Sequence, residues 1–203
     1  MRGAKGGLVG QTPLICGGSP SGASEACYTL LENGSWKEDK VATLNTARNY
    51  AAYGSVVIND QLVLAGGTGS SGYLNTIELV GPNTRSRTLS VKLPVAVSDS
   101  CIVEWDENSF MLIGGFGRDS RRETYIIDTD KNIITNGPNL KTARWAPGCE
   151  KLIVNGESYI VVSGGCGATR STEVLSVANY RNGWQYGKNY IKNVFYFYFY
   201  VCT

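Results

Sequence analysis

Histidine is absent from the 203 residues. That removes Ser-His and Cys-His hydrolase centres, histidine-ligated metals and histidine general bases together. Proline is sparse, at six residues. No apolar run approaches the roughly 20 residues that a membrane-spanning helix needs. Neither charge dominates: 19 Lys and Arg against 17 Asp and Glu leave +2. Such a balance gives no electrostatic case for a nucleic acid or an anionic membrane as partner. Residues 1–10 carry Arg2 and Lys5 but no apolar stretch, so they do not read as a signal peptide, and the expected location is cytoplasmic. The sequon Asn33-Gly34-Ser35 is accordingly expected to go unused. No two of the six cysteines are spaced as a zinc knuckle or a dithiol redox motif requires. They read as free, buried thiols that behave as small hydrophobes. Cys16 and Cys27 flank a glycine-rich turn, and Cys101 and Cys149 are expected to pack in the core rather than line a channel.

Glycine is what the chain has in excess, at 25 residues, alongside 10% aromatic and 18% charged residues. This is the composition of one folded domain, or at most two small ones, and not of a disordered chain. Gly-Gly pairs stand at 17-18, 66-67, 114-115 and 164-165, spaced 49, 48 and 50 residues apart. Each follows an apolar run: Leu14-Ile15-Cys16, Leu62-Val63-Leu64-Ala65, Met111-Leu112-Ile113 and Tyr159-Ile160-Val161-Val162. The pair at 6-7 follows none and falls off the period. Ahead of the last three runs lies another β-rich run, joined by the short turns Asn59-Asp60, Asp106-Glu107-Asn108 and Asn155-Gly156. Such turns are hairpin signals, since Asn, Asp and Gly tolerate positive φ. A polar loop, a third β run and a fourth short run follow each doublet. Leu44…Ala47-Arg48, Leu93-Pro94 and Leu140…Ala143-Arg144 then lead into the next unit. The period is therefore four antiparallel strands, with no segment of helical periodicity.

This pattern resembles the kelch repeat, the blade of a β-propeller. Its glycine doublet is kept as Gly17, Gly18, Gly66, Gly67, Gly114, Gly115, Gly164 and Gly165. Its strand-three aromatic stands as Tyr28 and Tyr125 and is replaced by Ile77 and Val174. Its strand-four tryptophan stands as Trp36 and Trp184, and its leading arginine as Arg48 and Arg144, with Ala96-Val97 in the third unit. The resemblance implies an all-β, partial kelch propeller of three to four four-stranded antiparallel blades. These occupy residues 12–184: a partial unit at 12–44 and whole units at 48–94, 97–140 and 144–184. The glycines, tyrosines and tryptophans are then structural. Residues 185–203 fall outside the pattern. Their aromatic run at 194–201 lacks charge and proline, an aggregation-prone signature, and reads as a truncated or mis-spliced gene model.

Propellers bind through rim loops. The loop after the third doublet holds Arg118, Arg121 and Arg122, a set able to grip carboxylates, with Asp119 and Glu123 as balancing acids. Arg170 and Tyr73 occupy equivalent loops. The resemblance implies a non-catalytic protein-interaction module: the substrate-recognition part of a cullin-based ubiquitin ligase adaptor, or an actin-binding protein. The alternatives are a kelch-type enzyme acting on a small molecule, or a non-functional fragment. Copper enzymes of that family use histidine ligands, which this chain lacks. Asp99, Glu104, Asp106 and Asp128 are the carboxylates available for a metal, and they read as solvated side chains on separate turns and strands. No metal or other cofactor is expected.

Overall fold

The computed structural model describes residues 2–18, 22–167 and 170–187. Four sheets, each of four antiparallel strands, follow one another along the chain. The first holds β1 (Lys5–Val9), β2 (Thr12–Cys16), β3 (Ser24–Leu30) and β4 (Trp36–Arg48). The second holds β5 (Val57–Ile58) and β6 (Gln61–Ala65), then β9 (Ile77–Val80) and β10 (Arg87–Thr88). A separate small hairpin, β7 (Thr68–Gly69) with β8 (Gly72–Tyr73), lies between β6 and β9 in sequence. The third sheet holds β11 (Cys101–Asp106), β12 (Ser109–Ile113), β13 (Thr124–Asp128) and β14 (Ile133–Asn136). The fourth holds β15 (Gly148–Val154), β16 (Glu157–Ser163), β17 (Thr172–Ser176) and β18 (Gln185–Tyr186). Every sheet is a simple meander. Among the described residues there is no α-helix, and a 3₁₀ turn covers Tyr180–Asn182. The hairpin turns use the expected chemistry: Asn59 and Asp60 have φ of 49° and 54°, and Asn155 and Gly156 have 52° and 81°.

Both ends of the repeat array differ from expectation. The first unit is a whole four-stranded sheet, because β1 pairs with β2 ahead of residue 12 and takes Gly6-Gly7 into a strand. The last unit runs past Trp184, because Gln185 and Tyr186 pair with β17. The aromatic run at 194–201 lies outside the described residues.

The core lies between consecutive sheets, and strand periodicity explains how. On β6, Leu62 and Leu64 join Leu14, Cys16 and Leu44 of the first sheet. Val63 and Ala65, which point the other way, join Ile102, Phe110 and Leu112 of the third. On β12 the alternation repeats: Phe110 and Leu112 face the second sheet, while Met111 and Ile113 meet Ile160, Val162, Leu175 and Trp184 of the fourth. The middle sheets are thus buried on both faces and the outer two on one. Each fully buried Leu, Ile or Phe contributes roughly 1.5–3 kcal/mol. Exposed apolar side chains gather on the outer sheets: Leu8, Leu31, Trp36 and Val41 on the first, and Leu152, Ile153, Val154 and Tyr186 on the fourth.

The glycine doublets are where neighbouring sheets touch. In the first three, the second glycine donates its N–H across to the next unit: Gly18 to Arg48 O, Gly67 to Val97 O and Gly115 to Arg144 O, at 2.8–2.9 Å. A Cβ on Gly66 would lie 2.3 Å from Val97 O, and one on Gly67 2.7 Å from Asn49 O, both at positive φ. No other residue fits so close an approach of two backbones.

Two buried ion pairs repeat the same network. Arg48 donates to Gly66 O, Thr76 O, Thr76 Oγ1 and Glu78, and Arg144 to Gly164 O, Ser171 O, Ser171 Oγ and Glu173. Both side chains of each pair are fully buried. Each glutamate also accepts two backbone N–H groups from the residues just before its arginine, Asn45 and Thr46 of β4 for Glu78, Lys141 and Thr142 for Glu173. Burial pulls the Arg48 guanidinium below its ordinary pKa, and the charge of Glu78 opposes that pull.

The strand register also corrects the aromatic alignment. Tyr28 lies opposite Ile15 and Tyr125 opposite Leu112, two residues before their doublets. The matching places are Glu78, opposite Leu64, and Glu173, opposite Val162, rather than Ile77 and Val174. Arg and Glu therefore occur together in the second and fourth units. In the third, Val97 and Tyr125 replace both, and Ser100 Oγ takes over the Gly114 carbonyl at 2.9 Å. The tryptophans divide. Trp184 is buried and donates to Pro138 O at 2.8 Å, whereas Trp36 is 46% exposed and fills no space between sheets.

The cysteines among the described residues are not free thiols. Cys16 is bonded to Cys27 across β2 and β3, and Cys101 to Cys149 between the first strands of the third and fourth sheets. Cys166 is disulfide-bonded as well. Strand pairing puts Cys16 directly opposite Cys27, and sheet stacking brings β11 against β15, neither of which cysteine spacing reveals.

Candidate functional site

One backbone ladder runs from unit to unit and builds a rim. Tyr50 N–H donates to Gly3 O, Asp99 N–H to Tyr50 O and Ala146 N–H to Asp99 O, at 3.0, 3.0 and 2.7 Å. Gly3, Tyr50, Asp99 and Ala146 all take positive φ, between 49° and 69°. For Tyr50, Asp99 and Ala146 that conformation is costly and is held by the inter-unit bonds. The residue before each of the last three bridges to the residue that follows a glycine doublet: Asn49 with Thr68, Ser98 with Phe116, and Trp145 with Cys166. These bridges bring side chains from three successive units into one place.

There they form a groove of about 620 Å³, bordered by Asn49, Thr68, Tyr73, Asp99, Phe116 and Trp145 among others. Its wall is aromatic. Tyr73 meets Phe116 edge-on with ring centres 5.9 Å apart, and Phe116 meets Trp145 at 5.4 Å with a 55° tilt. Tyr73 is 42% exposed. The polar side chains include both donors and acceptors, and the charged one is Asp99. Asp99 takes a hydrogen bond from Tyr53 Oη on Oδ1 at 2.8 Å and from Ser98 Oγ on Oδ2 at 2.6 Å. Asn49 Oδ1 is buried and accepts no hydrogen bond among the described residues. Behind this floor, Lys5 lies 3.6 Å over the ring of Tyr53. Burial lowers the Lys5 ammonium to a pKa of about 8, with the charge of Asp99 acting in the other direction.

The predicted rim residues separate. Tyr73 belongs to the groove. Arg122 is anchored by its Nε to Leu140 O at 2.9 Å, and Arg121 lies 3.8 Å from Glu123 Oε1 with only a quarter of its side chain exposed. Arg118 and Arg170 are exposed. Of the three arginines of one loop, Arg121 and Arg122 are thus engaged by Glu123 and Leu140, and Arg118 is the exposed one, with no such contact among the described residues. Among the described residues no group of three acidic or sulfur side chains is arranged to hold a metal ion. Asp106 and Asp128 cap their own turns, through Asn108 N–H and through the N–H groups of Asp130 and Lys131.

Phe116, Trp145 and Asn49 were not singled out as binding residues from sequence, and Asp99 was named there only as a carboxylate available for a metal. The usable signal was positional. Phe116 directly follows a glycine doublet, and Asn49 and Trp145 directly follow the repeated arginine. No protein-family model matches the chain, and no curated protein is similar to it.

Proposed function

We propose that the four sheets are blades of a kelch-type β-propeller arc and that the chain is a non-catalytic protein-interaction module, binding its partner in the rim groove. The observation that carries this reading is the groove itself. Loops of three successive units place Tyr73 against Phe116 and Phe116 against Trp145 along the groove, and aromatic side chains clustered this way are what protein interfaces use as anchors. The repeated doublets and the buried Arg–Glu network support the kelch reading. By that analogy the module recognises substrates for a cullin-based ubiquitin ligase, or binds actin. Among the described residues no helix is long and apolar enough to cross a membrane. The bonded cysteines favour an oxidising compartment over the cytoplasmic location expected from sequence, which counts against the ligase and actin partners, both cytosolic, and leaves the interaction module with a partner of that compartment.

Affinity capture tests the reading, with the parent chain and a Tyr73→Ala/Phe116→Ala variant of unchanged circular dichroism as baits. The expected result is a set of proteins held by the parent and lost by the variant. Identical sets would remove the groove as the binding surface. A set without actin or any ligase subunit would remove both kelch analogies.

A further inference from the structure

Resting on the reading of the groove as a partner site, we propose that it recognises a cationic side chain, arginine or lysine, presented by an extended segment of the partner protein. The chemistry of the lining points one way. Tyr73, Phe116 and Trp145 border the groove, and it is the face of such a ring, not its positive edge, that holds a guanidinium or ammonium group. Asp99 is the carboxylate among the lining residues, and its remaining lone pairs are free to accept after the bonds from Tyr53 and Ser98. Asn49 Oδ1 is a buried acceptor without a donor among the described residues, so the Asn49 side chain must turn toward the groove before a ligand N–H group reaches it. A carboxylate ligand would place its charge beside that of Asp99, and no lysine or arginine among the described residues lines the groove to balance it.

The groove also has a built-in opponent. Lys5, buried behind Tyr53, places a positive charge near Asp99 and weakens the pull of that carboxylate on an incoming cation. Removing that charge therefore strengthens cation binding, an effect that no purely structural role of Lys5 would produce.

The probe is a randomised octapeptide library displayed on phage, selected in parallel on the parent chain and on Tyr73→Ala/Phe116→Ala. Peptides lost on the variant are expected to share an arginine or lysine. Replacing that residue by citrulline or norleucine should weaken a synthetic peptide by about tenfold. Asp99→Asn should weaken it by about fivefold or more while keeping the fold, since asparagine tolerates the positive φ of this site and can still accept from Tyr53. Lys5→Met should tighten the basic peptide severalfold and leave a neutral analogue unchanged. Groove-dependent peptides without a basic residue overturn the cation reading but leave the interaction surface in place. Acidic peptides overturn it in favour of exposed Arg118 and Arg170. No peptide that depends on Tyr73 and Phe116 overturns both the cation reading and the groove as a partner site.

Discussion

Exchanging the buried pair of the second unit for the residues of the third is the sharpest test of how this repeat is held. Arg48 and Glu78 have no exposed side-chain surface, and each serves several partners. Arg48→Val alone leaves Glu78 charged in the interior, strips the Gly66 carbonyl of its donor and leaves the Thr76 carbonyl with the Gly66 N–H alone. Glu78→Tyr alone leaves a buried guanidinium unpaired, the Thr46 N–H without its acceptor and the Asn45 N–H with Ser86 Oγ alone. Breaking one side of a buried pair costs about 3–5 kcal/mol. The double variant removes both charges together, so its cost should fall short of the sum by about 2 kcal/mol or more. Val97 and Tyr125 show that the fold accepts the neutral pair at this position. Adding Ala51→Ser supplies the counterpart of Ser100, whose hydroxyl satisfies the Gly114 carbonyl, and should recover about a further 1 kcal/mol. Urea denaturation of the two single variants, the double and the triple, with matching m-values, measures the cycle. Strict additivity of the two single costs would mean that the pair is not a coupled unit, and the account of the repeat given above would be wrong.

Gly115→Val should destabilise by roughly 2–4 kcal/mol, because its Cβ would meet Ser100 Oγ and Ser98 O at positive φ, whereas Arg121→Ala should stay within about 1 kcal/mol; thermal melts in the reverse order would contradict the assignment of core and rim. Lys5 gives a pH dependence. Its folded pKa of about 8 lies below the ordinary 10.5, so the unfolded chain holds the extra proton between those values. The cost of burying the ammonium is fully present below pH 8, and stability rises from about 8 to 10.5 by about 3 kcal/mol at most. Lys5→Met should abolish that rise, and an equal slope in both proteins would refute the burial argument. Cys101→Ser/Cys149→Ser should lower stability by about 2–4 kcal/mol and increase hydrogen exchange between the third and fourth sheets more than within either; unchanged exchange there would show that the disulfide does not hold them together.

The periodic features of the chain were legible because they are local. The spacing of the Gly-Gly pairs, the apolar runs before them and the Asn, Asp and Gly turns specify hairpins through backbone preferences alone, and four antiparallel strands per unit result. Glycine at 66 and 67 was foreseeable for the same reason: only a residue without Cβ survives there, whatever the rest of the chain does. Tertiary structure decided what depends on register and stacking. A shift of one residue in strand alignment separates Ile77 from Glu78, and only the pairing with Leu64 shows that a buried glutamate, matched to Arg48, takes the aromatic position. Cys101 and Cys149 are 48 residues apart, and they bond because the stacking of two sheets brings their first strands together. The groove is the same kind of property. Asn49, Asp99, Phe116 and Trp145 belong to different stretches of sequence, and the inter-unit ladder through Tyr50, Asp99 and Ala146 is what assembles them beside Tyr73. Local preferences specify each unit. A site shared by three units is specified only by how they stack.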